Sequence, residues 1–110
     1  MPFSKRSDRI SAGSSAVRRR ALIGHAAWVG NADVVRRLLE AGADATVPAH
    51  AEFDTPLAIA AHGSGYPGNQ GDYVAVAELL LAAGNEVEPR FLEVADGPLY
   101  DWLEERLASA

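Results

Sequence analysis

Leu22-Ile23-Gly24-His25-Ala26-Ala27 leads into Val34-Val35-Arg36-Arg37-Leu38-Leu39-Glu40-Ala41-Gly42-Ala43-Asp44, and much of this returns as Pro56-Leu57-Ala58-Ile59-Ala60-Ala61 followed by Val76-Ala77-Glu78-Leu79-Leu80-Leu81-Ala82-Ala83-Gly84. Apolar residues at i and i+4 share one helical face, and a closing glycine takes the left-handed conformation that ends a helix. The stretch is therefore a repeated helix pair. Such a pair cannot bury its own apolar face, so the units must stack, and a stack presents an extended surface to another macromolecule.

Working outward, Ala26-Ala27 and Ala60-Ala61 lie 34 residues apart, and a further step of 34 reaches Val94-Ala95. Ile23, Leu57 and Phe91 keep the same step. Ala27 precedes Val34 by seven and Leu39 by twelve, and Ala95 precedes Trp102 by seven and Leu107 by twelve. In the middle unit Ala61 precedes Val76 by fifteen, so eight extra residues fall within His62-Gly63-Ser64-Gly65-Tyr66-Pro67-Gly68-Asn69-Gln70-Gly71. The glycines and proline there predict a flexible loop in place of a continuing helix. Three units result: about 15–48, about 49–87 with the insertion at 62–71, and about 88–110 as a carboxy-terminal capping unit, after a basic segment over 1–14.

Each unit reads as two short antiparallel helices, giving an all-α chain. The pairs Ile23/Ala27, Leu57/Ala61 and Phe91/Ala95 make one buried stripe on the first helices, and Val34-Val35/Leu38-Leu39 and Val76-Ala77/Leu80-Leu81 make another on the second. Asn31 and Asp72 suit helix starts, Gly42 and Gly84 suit ends, and Pro56, Pro89 and Pro98 suit first turns.

Composition sets the outer bounds. The 110 residues are 48% hydrophobic, ordinary for one globular domain. No apolar run approaches the ~18 residues of a membrane span, and no secretory leader opens the chain, so a cytoplasmic protein is expected. With no cysteine there is no disulfide, thiolate metal site or thiol nucleophile. Charge is uneven: residues 1–20 carry six basic residues against Asp8, a net +5, and the remaining ninety carry four arginines against fourteen acidic residues, a net −10. An acidic body repels phosphate backbones, leaving only the amino-terminal segment to bind nucleic acid.

These residues resemble an ankyrin repeat protein. The pattern of T-P-L, A-A, V-V, L-L and G-A-D is carried by Thr55-Pro56-Leu57, Ala26-Ala27, Val34-Val35, Leu38-Leu39 and Gly42-Ala43-Asp44, with Gly30-Asn31 in the place of G-H. The resemblance covers about Ala21 to Leu107 and implies an all-α solenoid of stacked helix pairs with short finger loops. The family's histidine after T-P-L is Gly24 in unit one and Ala58 in unit two, and Leu22 and Arg90 replace its proline. In unit three Arg106, between Glu104–Glu105 and Leu107, stands where unit one has Leu38, as suits an outer face that meets water.

The resemblance also implies a partner protein held by the finger tips and the exposed side of the first helices. It selects Glu52, Phe53 and Asp54 in the first finger, Trp28 and His62 after the alanine pairs, and Tyr66 at the loop tip. Trp is the residue most enriched in binding hot spots. Together they form an expected acidic and aromatic patch for a partner with a basic surface, with no catalysis, no cofactor and no metal; no two histidines have ligand spacing. His25, where unit two has Ile59, reads as a structural residue on a packed face. Two readings from other classes stand beside this one: a module that self-assembles through the amino-terminal end of its stack, and a small hydrolase using His62, Ser64 and Asp54. Ser64 lacks the strand-to-helix elbow of a serine nucleophile, and the glycine-rich loop lacks the lysine of a phosphate loop.

Overall fold

The computed structural model describes residues 18–45 and 55–109, and all regular structure among them is helical. Helix α1 covers 18–29 and α2 covers Ala32–Glu40. Helix α3 is Pro56–Ser64, α4 is Tyr73–Ala82, a 3-10 turn spans Pro89–Glu93, and α5 is Gly97–Ser109. Consecutive units stack through both helices: α2 packs on α4, α4 on α5, and α3 on the 3-10 turn and α5.

The helix limits follow from local chemistry. The Asn31 side chain accepts from the Val34 N–H at 3.2 Å, and the Asp72 side chain accepts from the Ala75 N–H at 3.1 Å. Each thereby satisfies a backbone donor that a helix start leaves without an intrahelical partner. At the other ends, Gly42 and Gly84 hold φ of 92° and 108°. This lets the next residue bond back into the last turn, Ala43 N–H to Leu38 O and Asn85 N–H to Leu80 O, both at 3.0 Å. Arg19 Nη1 also donates to Ala41 O at 2.7 Å, placing a cation at the carbonyl end of α2.

The core takes in part of the predicted stripe and adds Leu99 and Leu103, while Val34, Leu38, Leu39 and Leu81 are only half-buried. Ile23, Ala27, Val35, Leu57, Ala61, Val76, Leu80, Phe91, Leu99 and Leu103 are at most 1% exposed. Burying one such leucine or isoleucine contributes about 1.5–3 kcal/mol, so the repeated positions supply most of the adhesion between units. Alanines in the first helices let these helices approach closely. Between α1 and α3 the backbones come close at Gly63, where a Cβ would collide with the Trp28 carbonyl.

Three expectations are corrected. Helix α3 does not stop at the alanine pair but continues through His62 and Gly63 to Ser64, because glycine at 63 is what the contact with α1 requires. The first helix of unit three is reduced to the Pro89–Glu93 turn, and Ala95 is only half-buried. His25 is exposed rather than packed. In unit three Arg106 lies over the Trp102 ring, 5.0 Å from its centroid, a cation–π contact within α5.

Candidate protein-binding surface

The inserted loop is tied down rather than loose. Ser64 ends α3 with its Oγ donating to Ala61 O at 2.8 Å, and Tyr66 N–H donates to Gly63 O at 3.1 Å. Asn69 Nδ2 then bridges units, donating to Trp28 O and to Gly63 O, each at 3.1 Å. The Tyr73 hydroxyl donates to the same Trp28 carbonyl at 2.7 Å. Burial of Tyr73 raises its phenol above the ordinary value, and a hydrogen bond with the Asn69 side chain offsets part of that rise. The Trp28 carbonyl, left at the end of α1, is thus the anchor of the whole insertion.

The anchored loop sets Tyr66 against Trp28. The ring centroids are 5.3 Å apart with the planes inclined at 54°, a tilted aromatic pair. Trp28 is half-buried, whereas Tyr66 keeps 56% of its surface exposed. His62, one turn before Tyr66 on α3, is exposed. The structure therefore joins Trp28 to Tyr66 and leaves His62 exposed on α3. Glu52, Phe53 and Asp54 lie outside the described residues.

Of the residues in the hydrolase reading, Ser64 has a structural part and Asp54 lies outside the described residues. Ser64 Oγ donates to Ala61 O and accepts from the Asp96 N–H at 3.1 Å, so its hydroxyl joins α3 to the start of α5. A cleft of about 210 Å³ beside it is lined by Ser64, Asn69, Asp72, Tyr73, Asp96 and Leu99. That is below the ~300–1,000 Å³ usual for a small-molecule site. Among the described residues no three histidine, aspartate or glutamate side chains gather as a metal site, and no helix is long and apolar enough to cross a membrane.

The family model for the ankyrin repeat matches residues 19–49, which hold α1, α2 and the beginning of the first finger. The chain carries an ankyrin repeat over these residues. Neither the curated proteins nor the solved structures gave a match. Ankyrin repeats are generally protein–protein interaction modules, and the family is typically non-catalytic. The stack departs from its 34-residue pattern at the insertion, which is where Tyr66 is set against Trp28.

One residue that sequence reasoning overlooked holds the stack at the finger. Asn85 is 5% exposed. Its Oδ1 accepts from the Leu57 N–H at 3.1 Å, and its Nδ2 donates to Ala45 O at 2.7 Å. Leu57 is the second residue of α3, after Pro56, which has no N–H; the third residue, Ala58, donates to Thr55 Oγ1 at 3.5 Å. Asn85 thus completes the start of α3 from the following turn. The available signal was a polar residue at the position after Gly84 where unit one has Ala43.

Proposed function

We propose that this chain is a non-catalytic protein-binding module that engages its partner through Trp28, Tyr66 and His62, together with Glu52, Phe53 and Asp54. The observation that carries this is the Trp28–Tyr66 pair, an aromatic surface assembled from two units and pre-set by Asn69. Aromatic side chains fixed before binding lose little entropy when they dock, which favours them as anchors. The acidic body, net −10 over residues 21–110, suits a partner with a basic surface, because complementary charge speeds encounter and selects orientation.

The test is affinity capture of the native partner by wild type and by the double variant Trp28→Ala/Tyr66→Ala, with helicity checked by circular dichroism. The captured partner should be lost from the variant while helical content is retained. Equal capture by a folded double variant would place the binding surface elsewhere.

A further inference from the structure

The three-unit register allows each exposed position of unit one to be compared with its counterpart in unit two. Leu22, Val34 and Leu38 correspond to Pro56, Val76 and Leu80. Val76 and Leu80 are fully buried and Pro56 is buried, whereas Leu22 is 47% exposed and Val34 and Leu38 are half-buried. The difference follows from stacking. Helix α4 has α2 from the preceding unit and α5 from the following one packed on it, whereas α2 has a neighbouring unit, through α4, on one side among the described residues. The side of unit one that faces away from unit two therefore keeps an apolar patch at positions that unit two closes.

Charge selects what fits this patch. Residues 18–45 carry five arginines against three acidic residues, a net +2. Residues 84–109 carry seven acidic residues against two arginines, a net −5. The stack is thus electrically polar along its length. Residues 1–17 have the same sign as unit one, with Lys5, Arg6 and Arg9 against Asp8, and are a poor electrostatic match for it. At the other end α5 exposes Asp101, Glu104 and Glu105 around half-buried Trp102 and Leu107.

We infer that the unit-one face binds a second copy of this chain, head to tail, with Leu22, Val34 and Leu38 of one copy set against α5 of the next. The contact continues the order already present, in which α2 stacks on α4 and α4 on α5. It is a heterologous interface, joining two different surfaces, so it propagates beyond a dimer unless the rotation closes a ring. Opposite charge at the two ends gives it direction and makes it weaken with salt.

Sedimentation velocity of the full chain over a wide concentration range, at low and high salt, tests this. Association should proceed past the dimer and recede at high salt, and Leu22→Glu, a change at a half-exposed site, should return the protein to monomer mass with unchanged circular dichroism. The charge-reversed variants Arg36→Glu/Arg37→Glu and Glu104→Lys/Glu105→Lys should each lose self-association, and mixing the two should restore it. A monomer at every concentration overturns the inference, whether or not removal of residues 1–17 then releases association. Association untouched by Leu22→Glu, or one lost in Leu22→Glu but unaffected by Glu104→Lys/Glu105→Lys, overturns it too, the latter by showing a face-to-face dimer.

Discussion

Asn85→Ala is the most exacting perturbation of this stack, because one side chain serves two buried backbone groups. Removing it leaves the Leu57 N–H and the Ala45 carbonyl without their partner, in residues 0% and 2% exposed respectively. A buried polar group deprived of its hydrogen bond costs about 1–3 kcal/mol, so two together cost about 2–6 kcal/mol. For a domain of this length, each kcal/mol lowers the melting temperature by roughly 4 °C, which puts the expected fall at roughly 8–24 °C. Thermal and urea unfolding followed by circular dichroism would measure it. Asn85→Asp should be at least as damaging: the carboxylate still accepts from Leu57, but it cannot donate to Ala45 O and brings a buried charge against that carbonyl. A melting temperature within about 2 °C of wild type for Asn85→Ala would refute the assignment of Asn85 as the tie between the finger and α3.

Gly63→Ala should separate α1 from α3, since its Cβ meets the Trp28 backbone rather than a movable side chain; overpacking of this kind costs about 1–3 kcal/mol, read by urea unfolding. Tyr73 gives the stack an alkaline limit. Its phenol is raised above the ordinary value of about 10, so its contribution is complete below that value and is lost as pH rises through the higher folded-state value. Tyr73→Phe should remove this part of the pH dependence. At neutral pH it should cost only about 0.5–1.5 kcal/mol, because Asn69 still donates to Trp28 O. Stability measured from pH 8 to pH 11 in both proteins would show it.

Much of this architecture was legible in one dimension because it rests on local chemistry repeated at a fixed step. Ile23, Leu57 and Phe91 are buried at 34-residue intervals, and Asn31, Asp72, Gly42 and Gly84 bound the helices they were expected to bound. The insertion was harder to read. Gly63 looked like a helix breaker but is tolerated inside α3 because a neighbouring backbone needs the space of its missing side chain. His25 looked like a core residue because its counterpart is Ile59, but Ile59 is itself only half-buried and the position lies at the edge of the packed face.

The amino-acid sequence by itself determined the all-α class, the 34-residue spacing of buried Ile23, Leu57 and Phe91 and the ends of α2 and α4, because helical periodicity and end signals act between residues near in sequence. Which residues of the binding surface come together was decided only by tertiary structure. Trp28 and Tyr66 meet because Asn69 and Tyr73 reach across from another unit to one carbonyl at the end of α1. Asn85 reaches back in the same way to the start of α3. Such bonds between distant residues have no period, and their energies depend on burial that exists only once the units have stacked.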